Sequence, residues 1–158
     1  MRRSAGILPF RHHSGELQVL LVHPGGPFWR NRDDGAWSIV KGEYPEAEEP
    51  EAAARREFME ETGWSINGGL VPLGEIRQKG GKHVIAFALQ ADFDPGTLVS
   101  NMFEMMWPPR SGRTQTFPEV DRAEWFSLEE AGGKILAGQR PFLERLAEMQ
   151  RDGPDRVQ

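Results

Sequence analysis

The chain has 158 residues, 38% of them hydrophobic and 27% charged, and a formal net charge of −5. That size and mix fit one folded domain with its own core and exclude a disordered chain. The acidic balance excludes a protein that coats nucleic acid through a broad basic surface. There is no cysteine, which removes disulfides, thiol chemistry and cysteine-bound zinc. His12, His13, His23 and His83 form no His-x-x-x-His pair, so a zinc hydrolase of that pattern is unsupported. No apolar run reaches membrane-spanning length. Met1–Arg3 leads into a segment broken at Pro9, unlike a signal peptide. A cytoplasmic protein with no membrane partner is expected.

In chain order, Ala5–Phe10 reads as a strand closed by the polar turn His12–Gly15. Leu17–His23 is apolar on both faces and reads as a central strand. Pro24–Gly35 is a loop, and Ala36–Val40 a short strand leading into Lys41 and Gly42. Pro50 suits the first turn of a helix running to Thr62, with Glu48, Glu49 and Glu51 at its positive end and Gly63 as its stop. Val71–Gln78 and His83–Asp92 read as paired strands joined by the turn Lys79–Lys82. Met102–Trp107 is strand-like, Pro108–Pro118 reads as a loop, and Arg122–Phe126 as a further strand. Ser127 and Glu130 have capping-box spacing at the start of a short helix. Pro141–Gln150 is a helix with Phe142, Leu143 and Leu146 as its apolar stripe. The order predicts an α/β fold, a mixed sheet with helices on its faces. One domain is expected over residues 1–150, with a frayed tail over 151–158.

The helix at Pro50 carries Glu57, Glu60 and Glu61. At about 100° per residue, Glu61 lies roughly 40° to one side of Glu57 and Glu60 roughly 60° to the other. Ala54 and Phe58, four residues apart, can meet the sheet, which leaves the acids on the shoulder of the buried stripe. A solvated acidic face is one explanation. The other is a hard divalent cation that neutralises the crowded carboxylates and brings a phosphate-bearing substrate with it.

The surroundings favour the second. Gly42, Glu48, Arg56, Glu57, Phe58, Glu60, Glu61, Gly63 and Trp64 resemble the Nudix box of Nudix hydrolases, written G-x5-E-x7-R-E-U-x-E-E-x-G-U with U apolar. Every defined position matches, Trp64 being a bulky form of the last apolar one. WSIVKGEY before the box and DRAEWFSLEEA near the end also resemble one Nudix branch. Val40 stands where many relatives have proline before the Lys-Gly pair. The resemblance spans roughly Ser4 to Leu146.

That resemblance implies a Nudix-type α/β/α sandwich with a mixed central β-sheet, a MutT-like hydrolase of nucleoside-diphosphate-linked compounds, and a Mg2+ (or Mn2+) cofactor. It implies Glu57 and Glu61 as the main metal ligands and Glu60 as a further ligand, direct or through water. Gly42 lets the backbone approach the metal and offers its carbonyl. Arg56 orients a box acid. The catalytic set is Glu57, Glu60, Arg56 and, from the loop TFPEVDR, Glu119. Glu104 and Asp121 remain alternatives to Glu119 as the general base, as does a box glutamate.

Lys41 adjoins the box, and Arg30, Arg32, Lys79, Lys82, Arg110 and Arg113 fall in loops; any of them can bind phosphate. Trp29, Trp107 and Phe117 flank polar loops where a purine can stack, or else they pack in the core. Lys41, Arg30, Trp29, Arg110 and Phe117 are the substrate-binding candidates. The expected partner is a phosphorylated small molecule, a nucleotide or dinucleoside polyphosphate. The alternatives are an oxidised nucleoside triphosphate, ADP-ribose, an inositol pyrophosphate, or a nucleotide-binding module without turnover. A homodimer is compatible with all of these.

Overall fold

A computed structural model describes residues 2–78 and 80–151. Strands β1 (Arg3–His13), β2 (Glu16–Pro24), β3 (Val40–Glu43), β4 (Val71–Gln78), β5 (Lys82–Gln90) and β8 (Val120–Ser127) form one six-stranded mixed sheet. Its order is β4-β5-β1-β2-β8, and β3 also pairs with β1. Strands β6 (Met102–Met106) and β7 (Thr114–Pro118) form a separate two-stranded sheet. The helices are α1 (Pro50–Thr62), α2 (Leu128–Lys134) and α3 (Arg140–Arg151).

Side chains alternate across a strand, so β1 and β2 feed two cores. Ile7, Leu20 and Val22 pack with Ala53, Ala54 and Phe58 of α1. Leu8, Val19 and Leu21 pack with Phe142, Leu143 and Leu146 of α3 and Ala131 of α2. The unbroken apolar run in β2 reflects this burial on both faces. The product is the α/β/α sandwich expected from the sequence, and none of its helices is long and apolar enough to cross a membrane.

One edge of β1 is shared. Its first half pairs antiparallel with β3, Ala5 opposite Gly42, while its second half pairs antiparallel with β2, Phe10 opposite Val19. Its other edge runs parallel to β5, from Arg3 opposite His83 to Phe10 opposite Gln90. β3 thus delivers Gly42 to the side of α1 that carries Glu57, with Lys41 beside it.

Several boundaries differ from the sequence reading. Regular pairing after the first long loop begins at Val40 and runs to Glu43, because that stretch finds β1; Trp37 and Ser38 make only isolated bridges to Ile135 and Val22. Part of the expected loop Pro108–Pro118 is strand β7, held to β6 with Phe103 opposite Phe117. Of the expected turn Lys79–Lys82, Lys79 lies outside the described residues, Gly80 and Gly81 have φ of 84° and 76°, and Lys82 already belongs to β5. The expected tail lies outside the described residues after Arg151. The box helix, by contrast, has its expected ends: Pro50 opens α1, and Gly63, at φ 76°, returns its N–H to the Met59 carbonyl. Ser127 and Glu130 make both bonds of the capping box on α2.

Candidate active site

Arg56 organises the acids of α1. Its Nε and Nη2 donate to both oxygens of Glu48 at 3.0 and 2.9 Å, a two-pronged grip that only guanidinium geometry allows. Its Nη1 donates to Glu57 Oε1 at 2.8 Å and to Glu60 Oε1 at 3.4 Å. The bond from Arg56 holds Glu48 below the ordinary carboxylate range. In return Glu48, and after it Glu57, hold the guanidinium firmly charged. This fixes the Glu57 rotamer.

Glu57 then meets the backbone of β3. A methyl group at position 42 would collide with Oε2 and Cδ of Glu57, so only glycine lets the strand and the carboxylate approach this closely. Beyond them opens a cavity of about 340 Å3 whose walls include Lys41, Gly42, Glu57, Glu61, Asn101 and Glu119. Glu119 reaches it from the junction of β7 and β8. Its N–H donates to the Asn101 carbonyl at 2.9 Å and its carbonyl accepts from Gly25 N–H at 3.0 Å.

The charge in this cavity is unbalanced. Burial first, then the negative charges of Glu57 and Glu119, push the Glu61 carboxyl from an ordinary 4.5 up to about 8; Lys41 opposes the rise, and a hydrogen bond shared with Glu57 adds to it. Burial and then Glu57 also raise Glu119. Lys41 is pushed below its ordinary value by burial and then by Lys82. Without a cation, burial and the neighbouring carboxylates favour the protonated form of Glu61.

A second cavity of about 200 Å3 adjoins the first, sharing Lys41, Glu61 and Glu119. Trp29, Ile39 and Val120 give it an apolar wall, and the Arg32 guanidinium lies 5.6 Å from the Trp29 ring. An acidic, phosphate-sized space beside an aromatic slot suits a nucleotide held by its phosphates.

The structure thus brings Gly42, Glu57, Glu61, Glu119, Lys41 and Trp29 around one connected space. Glu60 stands outside the cavity walls, 46% exposed and tied to Arg56. Arg30 is exposed. Arg110 is exposed with φ 61° in the β6–β7 connection, and Phe117 packs on Phe103 at 6.0 Å. The loop after β2 and the end of β6 meet through Phe28 and Trp107, whose ring centroids lie 5.6 Å apart. Of the alternative bases, Glu104 is exposed on β6 opposite Thr116. Asp121 is engaged by the buried His23, whose Nδ1 lies 2.8 Å from its carboxylate. Asn101 also lines the cavity, and nothing in the sequence distinguishes it from other loop polar residues. Among the described residues no three His, Asp or Glu side chains are already drawn to metal-ligating geometry; the acids surround the space rather than converge on a point.

Solved structures share this architecture. Ap4A hydrolase from C. elegans, in a binary complex, superposes with a TM-score of 0.63 at 20% identity, over 95% of this chain and 98% of that one. The NUDIX domain of Shewanella oneidensis NrtR, complexed with ADP ribose, gives 0.63 at 18%, over 94% and 87%. A mutT/nudix family protein from Listeria innocua gives 0.62 at 19%, over 94% and 93%. No curated protein matches the chain. The NUDIX domain family matches residues 1–146. With the box on α1, its arginine clamp and the sandwich that carries them, the chain belongs to the Nudix family of pyrophosphohydrolases.

Proposed function

We propose that this Nudix hydrolase cleaves a diphosphate linkage in a nucleotide or dinucleoside polyphosphate, by water attack on phosphorus and with Mg2+ or Mn2+ as cofactor, in the cytoplasm. The observation that carries the reading is the cavity in which Glu57, Glu61 and Glu119 crowd beside Lys41. The residues fit a hard divalent cation: they offer carboxylate oxygens and a glycine cradle, and burial, followed by the charges of Glu57 and Glu119, raises Glu61 to about 8. A bound cation would neutralise the diphosphate and ease deprotonation of the attacking water.

Glu57 and Glu61 are the proposed ligands, with the Gly42 carbonyl beside them and Glu60 acting through water from its exposed position. Arg56 acts through Glu57 by fixing its orientation. Glu119 is the proposed base: it faces the same cavity, and its raised affinity for a proton suits it to take one from water. The Lys41 ammonium pairs with a phosphate oxygen, and Trp29 offers its face to a base. Arg30, Arg110 and Phe117 are proposed to contact the outer part of a long substrate from the rim. The C. elegans Ap4A hydrolase and the ADP-ribose-bound NrtR domain support nucleotides as the substrate class.

Turnover of a nucleotide panel in ¹⁸O-labelled water, with products read by mass spectrometry, tests this. One product should carry ¹⁸O on phosphorus, only with Mg2+ or Mn2+ added. Binding of nucleotides with no labelled product would instead identify a module without turnover.

A further inference from the structure

Lys41 also lines a separate cavity of about 580 Å3 that none of the site acids reaches. Lys41, Arg77 and Lys82 line it together with Gln78, Leu136, Ala137 and Gly138, and no carboxylate is among its walls. Arg77 and Lys82 come from the facing ends of β4 and β5, Arg77 opposite His83 and Lys82 opposite Gln78. Among the described residues none of the three cations has a carboxylate within 4.0 Å. This contrasts with Arg11, Arg55, Arg56, Arg122 and Lys134, which do. Lys41 feels Glu61 and Glu43 at longer range, but no carboxylate enters this cavity to pair with Arg77 or Lys82, so an anion joining the three cations would relieve their mutual repulsion.

Lys41 is the hinge of the arrangement. It belongs to the acidic cavity, to the aromatic slot and to this basic cavity, and Leu136 also separates the slot from it. An extended anion that crosses Lys41 therefore has one end at the acids and the other between Arg77 and Lys82. We propose that the basic cavity binds a further phosphate of the substrate, beyond the diphosphate at the acids, so that the enzyme acts on a chain of three or more phosphates. The inference rests on the hydrolase reading above and narrows its substrate class. ADP-ribose, with two phosphates and a neutral sugar, leaves the basic cavity unfilled.

Two measurements test it. The first is calorimetric titration of inorganic tripolyphosphate into metal-free protein at low salt, which does not depend on turnover. The Arg77→Ala/Lys82→Ala double variant should bind at least about tenfold more weakly, since each charge-assisted contact contributes on this order. Arg55→Ala, at a cation paired with Glu51 on α1, should bind like the parent. The second compares KM in Mn2+ for diadenosine tetraphosphate and ADP-ribose. The double variant should raise the first about tenfold with kcat retained, and leave the second unchanged. Arg77 is exposed, so Arg77→Ala alone gives the same reading if the double variant misfolds. Tripolyphosphate affinity equal in parent and variant overturns the proposal, and so does an equal rise in KM for both substrates. A parent that cleaves neither compound refutes the hydrolase reading instead, while the titration still decides the basic cavity.

Discussion

Replacing Glu61 by glutamine should stabilise the metal-free protein at alkaline pH and weaken its response to divalent cations. The carboxyl rises from an ordinary 4.5 to about 8 in the fold. Between those values the unfolded chain has lost the proton and the native protein has kept it. The native state therefore binds more protons, and stability falls as pH climbs through that window. Each unit is worth about 1.4 kcal/mol, so the full window sets a ceiling on the order of 4 to 5 kcal/mol. Partial access to water and the coupling to Glu57 bring the expected loss nearer about 2 kcal/mol. Glutamine cannot titrate and keeps the shape. In EDTA, urea midpoints of parent and Glu61→Gln should nearly coincide at pH 5 and separate by pH 9, the variant being the more stable. Saturating Mn2+ should reverse the order, because a ligand at 100 times its Kd adds about 2.7 kcal/mol to the protein that binds it. Parallel stability–pH curves in EDTA, or equal stabilisation of both proteins by Mn2+, would refute the charge crowding on which the site is argued.

Glu57→Gln should lower turnover at saturating Mg2+ by at least about 100-fold, as expected for a lost ligand, with an unchanged circular dichroism spectrum; normal kcat would remove Glu57 from the chemistry. Gly42→Ala forces Cβ into the Glu57 carboxylate; it should cost about 1–3 kcal/mol by overpacking and weaken Mn2+ binding measured by calorimetry. Glu119→Gln should reduce kcat by about 10²–10⁴-fold, the range for a lost general base, while Mn2+ affinity changes little. The acidic limb of the parent kcat–pH profile should also fall above the ordinary carboxylate range, since burial and Glu57 raise Glu119; an intact limb in the variant would assign it elsewhere.

What the sequence exposes is whatever is encoded locally. Pro50, Gly63 and the Arg56–Glu57–Glu60–Glu61 run determine a helix, its ends and the relative angles of its acids, because helical geometry needs no knowledge of the rest of the chain. The alternating burial of β1 and β2 is similarly visible. The parallel pairing of β1 with β5, and the division of one β1 edge between β3 and β2, are long-range facts with no local signature. They explain why Val40–Glu43 rather than Ala36–Val40 is the regular strand. β7 is hidden for a related reason: Thr114–Pro118 is polar and largely exposed, so its extended form comes from β6 and not from a core. The same logic separates the site residues. Glu57 and Glu61 are neighbours on one helix, whereas Glu119 and Lys41 join them only through tertiary packing. Arg77 and Lys82 look like ordinary surface cations until β4 and β5 bring them to one cavity.

The charges at Lys41 impose an order on the ligands. Arg56 already satisfies Glu48 and steadies Glu57, so it has little left for Glu61 and Glu119, and Lys41 opposes the rise of Glu61 without overcoming it. The cavity is therefore negative, and a diphosphate entering alone meets like charge. A divalent cation entering alone must displace the proton that the raised Glu61 carboxyl retains. Each ligand removes the obstacle to the other: the cation screens the acids from the phosphates, and the phosphates supply the remaining oxygens that a hard cation demands. Coupling of this kind is reciprocal, so whatever factor the cation adds to substrate affinity, the substrate adds to cation affinity. The crowding that makes the empty site costly is thereby what makes the pair of ligands bind together.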